Sequence, residues 1–370
     1  MKQVLVTGAR GFVGRNLCAM LRRHEDLKLV ELDIEDPLPE IVPALGRADC
    51  IFHLAGVNRP KNIEEFETGN AELLEQLCRM LRELRRSPKV VLTSSIQAEM
   101  DNPYGRSKRH AEEILKAFAE ESGASCVVYR LKNLFGKWCR PNYNSVTATF
   151  CNNIANGLPI QISDRGKEIE LTHIDDVVAA FLEELNVIST GFRFADPLPS
   201  TNISLGELAD KLIYYKKMRD TLLLPNFGDA FERALYGTYL SYLDKEDFAY
   251  CLDIKTDQRG SLAEFIKAPC MGQIFVSRTK PGVTRGDHFH HTKAEKFLVM
   301  QGKANIRFRH IESNQVQEYI VGGEEYRVLD IPPGYTHSIQ NIGDDDLVTL
   351  FWAGEVYNPG RPDTYFEKVK

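Results

Sequence analysis

Three groups of residues in this 370-residue chain have the types and spacing to do chemistry. The first is Gly286-Asp287-His288-Phe289-His290-His291-Thr292-Lys293-Ala294-Glu295, answered later by Pro332-Pro333-Gly334-Tyr335-Thr336-His337. On a strand, His288 and His290 turn their imidazoles to the same side. Glu295 and His337 could close that face into a nitrogen and oxygen donor set suited to Zn²⁺, Fe²⁺, Mn²⁺ or Ni²⁺. His291 points the other way. The second group is the turn Gly8-Ala9-Arg10-Gly11-Phe12-Val13-Gly14, which follows a short apolar run. Glycines there allow a tight turn and close approach to a pyrophosphate, and a following helix offers unpaired N–H groups to anionic oxygens. The third is Ser94-Ser95 with Tyr104 and Lys108. Four apart, Tyr104 and Lys108 share a helix face, so the ammonium can tune the phenol for proton exchange with a carbonyl during hydride transfer. Ser95, or Ser94, would hold the same oxygen.

The elements that must position these groups follow from periodicity. Residues 2–7 read as a buried parallel strand, 16–24 as an amphipathic helix and 27–32 as a second strand ending at Asp33. A carboxylate at Asp33 suits a ribose and favours NADH by repelling a 2′-phosphate. Arg10 could instead pair with that phosphate, so NADPH and NADH both stay open, as does a capping role for Asp33. Residues 49–54 read as a strand whose end, Leu54-Ala55-Gly56, joins Asn70 of a helix over 70–86 in the expected dinucleotide site. Residues 89–93, 107–122 and 125–129 continue the alternation of strand and helix. That alternation implies a doubly wound parallel sheet, Rossmann-type, with its ligand crevice at the strand C-termini. Residues 145–154 read as a helix, 159–163 as a strand and 205–233 as helical, with Tyr214, Tyr215, Phe227 and Phe231 as core. From 251 onward short strands at 275–279, 295–300, 304–310, 318–321, 326–331 and 347–353 alternate with Gly/Pro turns, as in a β-sandwich or jelly roll. The expected domains are 1–243 and 251–370, joined by a linker at 244–250.

Composition sets the bounds. Apolar content of 43% and charged content of 26% are those of a globular protein with a real core. A formal charge of -6 gives no basic footprint for nucleic acid. The eight cysteines contain no CxxC pair, which fits reduced thiols in the cytoplasm. No apolar run has membrane-spanning length, and the glycine turn interrupts the N-terminal run too early for a secretory signal.

HxH-x4-E-x6-G followed by PxG-x2-H-x3-N closely resembles the two motifs of the cupin family. Residues 1–240 resemble the extended short-chain dehydrogenase/reductases, through the glycine turn, Tyr104/Lys108, Arg130-Leu131-Lys132-Asn133-Leu134-Phe135-Gly136 and Thr172-His173-Ile174-Asp175-Asp176-Val177. That resemblance implies action on nucleotide-linked sugars, with Asn133 beside the substrate pyrophosphate and His173 on the substrate side. Ser95 matches the family's catalytic serine better than Ser94. The connection from the serines to Tyr104 is shorter than the family's, which implies that a covering loop is truncated. Arg165 could reach substrate phosphate, or stand as a solvated turn arginine.

The pairing of these halves, with the run from Phe135 to Ser145, resembles the CapF-type family of bifunctional capsule-sugar enzymes over almost the whole chain. The resemblance implies a C3 epimerase in the cupin half with zinc on His288, His290, Glu295 and His337. It implies reduction at C4 by NADPH in the other half, and a homodimer. The substrate implied is a UDP-linked 2-acetamido-2,6-dideoxy-4-hexulose, a 4-keto-6-deoxy-hexosamine. The product would be UDP-N-acetyl-6-deoxy-talosamine, a precursor of UDP-N-acetylfucosamine. Chemistry gives the same order, because the C4 ketone acidifies the C3 proton and reduction removes that acidity. Two other classes compete: an oxygenase or decarboxylase in the metal half, and a dinucleotide sensor without turnover. His310 and Tyr335 read as packed groups rather than proton carriers, and Arg307 and Arg309 as phosphate binders or partners of carboxylates.

Overall fold

The structure, a computed structural model, describes residues 1–33, 36 and 38–370. Its contacts divide the chain into two compact units, Met1–Tyr214 with Arg233–Asp244, and Tyr215–Glu232 with Lys245–Lys370. The stretch 215–232 clusters with the second unit, where Leu222 and Leu224 exchange backbone hydrogen bonds with Lys267. Among the described residues no helix is long and apolar enough to cross a membrane. All eight cysteines are free thiols.

In chain order the elements up to residue 240 are β1 (Lys2–Thr7), α1 (Phe12–Leu21), β2 (Leu27–Leu32), α2 (Leu38–Leu45), β3 (Cys50–His53), α3 (Glu64–Glu67), α4 (Leu73–Glu83), β4 (Lys89–Ser95), α5 (Pro103–Ser122), β5 (Ser125–Leu131), β6 (Asn133–Phe135), α6 (Val146–Ala155), β7 (Glu168–His173), α7 (Ile174–Glu184), β8 (Gly191–Phe194), β9 (Thr201–Ser204), α8 (Leu205–Thr221) and α9 (Ala230–Leu240). Six strands form one sheet in the order β2-β1-β3-β4-β5-β8, all parallel. The inner strands β1, β3, β4 and β5 bury side chains on both faces, as a parallel sheet covered by helices requires. On one face Leu5, Ile51, Val90 and Val128 meet Leu77, Leu81, Leu115 and Phe118. On the other, Val4, Val6, Phe52 and Val127 meet Leu17, Leu21, Val177 and Phe181. This is the doubly wound sheet expected from the alternation.

Two helix starts matter for the site. Helix α1 begins at Phe12, earlier than the expected 16, so Gly14 lies in its first turn. A Cβ at Gly14 would sit 2.1 Å from the Gly8 carbonyl oxygen, so the helix can lie this close to the turn only without a side chain there. Helix α5 begins four residues before the expected 107. Pro103 fits its first position, and the Asn102 side chain accepts from the Gly105 N–H at 2.8 Å. Gly123 at φ +67 ends it. Its buried stripe, Lys108, Ala111, Glu112, Leu115 and Phe118, has the period of one helix face, and each large apolar member contributes about 1.5–3 kcal/mol by burial.

The helix expected over 70–86 is α3 and α4 joined by a π-turn, Thr68–Glu72, which holds Asn70. No strand forms at 159–163. Pro159 lacks an N–H for a ladder, and its carbonyl instead accepts from Asn153 Nδ2 at 3.0 Å. The helical stretch over 205–233 breaks after Thr221, where Leu222 takes φ +60. Tyr215 is core there, at 2% exposure, whereas Tyr214 is 37% exposed.

The second unit adds β10 (Ile254–Asp257), β11 (Gly260–Ala268), β12 (Gly272–Thr279), β13 (Thr284–Phe289), β14 (Glu295–Gln301), β15 (Lys303–His310), β16 (Val316–Gly322), β17 (Val328–Ile331), β18 (Tyr335–Asn341), β19 (Leu347–Ala353) and β20 (Tyr365–Phe366). They make two antiparallel sheets, β10-β11-β12-β19-β14-β17 and β16-β15-β18-β13-β20. Phe297, Val299 and Phe351 of one sheet and Ala304, Ile306, Phe308 and Ile339 of the other share one core cluster. Strands β10, β11, β13, β18 and β20 go beyond those read from the sequence. Replacing Gly14 with Ala is expected to lower the stability of the first unit by about 1–3 kcal/mol, read as a lower urea midpoint. An unchanged midpoint would contradict the close approach of α1 to the glycine turn.

Candidate functional site

At the C-terminal end of β4 the chain passes through a single 3₁₀ turn, Ile96–Glu99, straight into α5. A Cβ on Gly105 would lie 2.1 Å from the Gln97 carbonyl oxygen, so the short connection is packed directly onto the helix. Tyr104 and Lys108 thus face the strand end together, with Lys108 Nζ 6.0 Å from the phenol ring centre. Lys108 is buried, and its Nζ donates to the Thr93 carbonyl at 3.2 Å. Burial pushes its pKa down to about 8, and Glu112, one turn further along α5, opposes that shift. Burial raises the Tyr104 pKa, with a Ser95 hydrogen bond working the other way. The two serines are therefore distinct. Ser95 lies on the phenol side, its Oγ accepting from the Gln97 N–H at 3.2 Å, whereas Ser94 donates to Glu112 Oε1 at 2.5 Å. A protonated phenol beside a buried ammonium can give a proton to a carbonyl oxygen.

The turn Gly8, Arg10, Gly11, Phe12, Val13 and Gly14 lies between β1 and α1. Gly11 is the N-cap and supplies no side-chain bond, so α1 keeps its first N–H groups for an anion. The Arg10 backbone N–H donates to Asp33 Oδ2 at 2.8 Å, and its guanidinium lies 3.8 Å from Asp36. Leu54, Ala55 and Gly56 follow β3, and Asn70 bonds both backbone groups of Val57 and Ser107 Oγ. Asn70 is 2% exposed, tied to the same helix that carries Lys108. A dinucleotide fits this arrangement. The open helix end would suit its phosphates, and the carboxylate of Asp33 lies beside the turn.

Of the residues expected on the substrate side, Asn133 and His173 lie on the adjacent strands β6 and β7. Asn133 Nδ2 donates to the Glu170 carbonyl, and the His173 ring lies 5.1 Å from Phe135. Burial lowers the His173 pKa. Arg165 is exposed and pairs with Asp210 at 2.6 Å.

In the second unit His288, His290, Glu295 and His337 offer ligand atoms that all lie within 4.8 Å of one another. His288 and His337 come from one sheet and Glu295 from the other. A bulge in β13, with Gly286 at φ +97 and Asp287 at φ +57, brings His288 opposite His337 in register. A Cβ on Gly286 would meet the His337 carbonyl oxygen at 2.6 Å. Nδ1 of His290 bonds the Asp363 carbonyl at 2.5 Å, and Nδ1 of His337 the Tyr335 carbonyl at 3.2 Å. A carbonyl only accepts, so each Nδ1 carries the hydrogen and each Nε2 presents a lone pair. Both Nε2 atoms are buried without a hydrogen-bond partner, 3.4 and 3.6 Å from the Glu295 oxygens. Burial holds His288 neutral, with its pKa down to about 4. Three imidazoles and a carboxylate around one point fit a divalent ion.

The neighbours of this set are committed to structure. The His291 ring meets Tyr365 edge to face, with ring centres 4.8 Å apart, and is not in the ligand set. His310 packs against Tyr335. Arg307 pairs with Glu318, and Arg309 with Glu367. Two groups escaped the sequence reading. One is Glu112, held bidentately by Arg130 at 2.9 and 2.6 Å, which the spacing of four from Lys108 could have flagged. The other is Asp363, for which no local pattern exists.

Residues 4–191 match the NAD dependent epimerase/dehydratase family, and residues 255–365 match the Polysaccharide biosynthesis C-terminal domain. The chain is 45% identical over 363 residues to the UDP-2-acetamido-2,6-beta-L-arabino-hexul-4-ose reductase of Pseudomonas aeruginosa, with 98% of each covered. The crystal structure of the capsular polysaccharide assembling protein CapF from Staphylococcus aureus matches with a TM-score of 0.91 and 46% identity, over 99% of this chain and 100% of that one. The UDP-glucuronic acid 4-epimerase of Bacillus cereus, in complex with NAD, shares only the fold, at a TM-score of 0.54 and 16% identity over 65% of this chain and 98% of that one. The chain belongs to the NAD dependent epimerase/dehydratase family, as a full-length member of its CapF group, in which that domain is followed by a polysaccharide biosynthesis C-terminal domain.

Proposed function

We propose that the chain is a bifunctional nucleotide-sugar enzyme of capsule precursor synthesis. The second unit, read as a cupin, inverts C3 of a UDP-linked 2-acetamido-2,6-dideoxy-4-hexulose. The first then reduces the C4 ketone to give UDP-N-acetyl-6-deoxy-talosamine, on the route to UDP-N-acetylfucosamine. The observation that carries the reduction is the half-buried Tyr104 phenol with the buried Lys108 Nζ 6.0 Å from its ring centre. The printed name of the Pseudomonas relative, a hexul-4-ose reductase, supports the same half. The His288, His290, Glu295 and His337 set supports a metal-bearing second half, and the family resemblance supplies the epimerase assignment.

A bound nicotinamide supplies hydride to C4. Ser95 positions the C4 oxygen, and Tyr104 donates its phenolic proton to that oxygen as charge builds there. The raised Tyr104 pKa keeps the proton in place until then. Lys108 stabilises the phenolate left behind. Asn133 and His173 hold the substrate beside these groups, Asn133 at the pyrophosphate. NADPH is the proposed reductant. Asp33, bonded into the glycine turn, makes NADH the competing one. His288, His290, Glu295 and His337 would hold a Zn²⁺ ion, which with four protein ligands would serve as a structural tie. The proposed setting is the cytoplasm, and the proposed assembly a homodimer.

Incubating the full chain with the UDP-4-keto-sugar and NADPH or NADH, followed by NMR of the product, tests the whole reading. An unchanged ketone with both reductants would sink it. Tyr104→Phe is expected to cut NAD(P)H oxidation by at least about 10²-fold while solvent-deuterium exchange at C3 continues. Loss of both together would argue against two sites. Because the Lys108 ammonium is present below pH about 8 and lost above it, kcat/KM for reduction is expected to fall as pH rises through about 8. A profile still flat at about pH 10, near the ordinary lysine pKa, would remove Lys108 from the mechanism. His290→Ala is expected to abolish bound metal by elemental analysis and to lower the unfolding temperature of the second unit. A full metal complement in that variant would refute the ligand assignment.

A further inference from the structure

The connection from β13 to β14, residues 290–294, has no regular structure of its own. Yet it carries His290 and delivers Glu295, so its conformation decides whether the ligand set converges. Its fixed point comes from more than 70 residues away in sequence. Asp363 Oδ1 accepts from the His291 N–H at 2.9 Å. Asp363 Oδ2 accepts from the N–H groups of Thr292 and Lys293 and from Thr292 Oγ1, each at 2.9 Å. The Asp363 carbonyl accepts from His290 Nδ1 and so sets both the tautomer and the ring orientation. The residues that follow are tied to the ligand strands. Strand β20 pairs with β13, placing Phe366 opposite His288, and the Glu367 N–H donates to the Asp287 carbonyl at 2.9 Å.

We infer that Asp363 is a positioning residue for the metal, setting affinity by clamping the loop between His290 and Glu295. It is not itself a ligand. Its carboxylate spends both oxygens on three consecutive backbone N–H groups and one hydroxyl. Those N–H groups would otherwise need other partners, and the loop carrying His290 would have many conformations to lose on binding. The inference rests on the metal reading above, and the test separates the two.

The full chain and its Asp363→Ala, Asp363→Asn and Thr292→Val variants would be stripped of metal and titrated with Zn²⁺ against a chromophoric chelator. Co²⁺ titration would report ligand geometry through its visible absorption. Asp363→Ala is expected to weaken Zn²⁺ by about 10–100-fold and to alter the Co²⁺ absorption. Its folded circular dichroism and first-unit reductase activity are expected to stay as in the unaltered chain. Asp363→Asn keeps one acceptor oxygen and should fall between. Thr292→Val removes one bond of four and should be the mildest. If Asp363→Ala fails to fold, Asp363→Asn carries the test. Affinity and Co²⁺ spectrum equal to the unaltered chain in the folded variant would overturn the clamp while leaving the ligands standing. An unaltered chain that takes up neither ion would overturn both.

Discussion

A buried ammonium is the constraint around which the first unit is arranged. Lys108 is 8% exposed, and a charge so placed is tolerable only with partners of matching geometry. Its Nζ donates to the Thr93 carbonyl at 3.2 Å, and Glu112, four residues on along α5 and itself 4% exposed, adds a favourable charge. That carboxylate needs its own counter-charge, which Arg130 brings from β5 as a two-bond fork. Arg130 is steadied in turn by Glu99 and by the Phe194 ring, 4.4 Å below its guanidinium. Removing one member of such a chain leaves an unpaired buried charge, at a cost of about 3–5 kcal/mol. The same chain takes up Ser94, which is why the adjacent Ser95 is the hydroxyl on the phenol side.

The second unit solves a different problem. Two sheets held only by apolar side chains such as Phe297, Phe351 and Ile306 can slide with little penalty, because such contacts are not directional. A metal ion held by residues of both sheets would convert that contact into a fixed one. His288 and His337 face each other across β13 and β18, and Glu295 opens β14 in the opposite sheet. The ring nitrogens not aimed at the shared point are bonded to main-chain carbonyls, so the imidazoles are oriented before any ion arrives.

Much of this was legible in the residues themselves. Short apolar runs alternating with helical stretches of nearly four-residue period placed the parallel sheet and its helices, and the spacing of four put Tyr104 and Lys108 on one face. What escaped had long-range causes. Asp363 meets residues 291–293 only because β20 returns to β13. Strands β11 and β18 carry mixed side chains whose alternation is weak without their neighbours. At 159–163 the apolar signal was outweighed by Pro159, which cannot donate to a ladder. The early start of α5 was written in Asn102 and Pro103, a cap and a first-turn proline, rather than in its apolar stripe.

The compressed link from Ser95 to Tyr104 has a dynamic consequence. Wound into one 3₁₀ turn and seated on Gly105, it has no slack to swing aside. A rim without slack cannot act as a gate. Any rearrangement that admits a ligand to the Tyr104 phenol would then have to come from other segments.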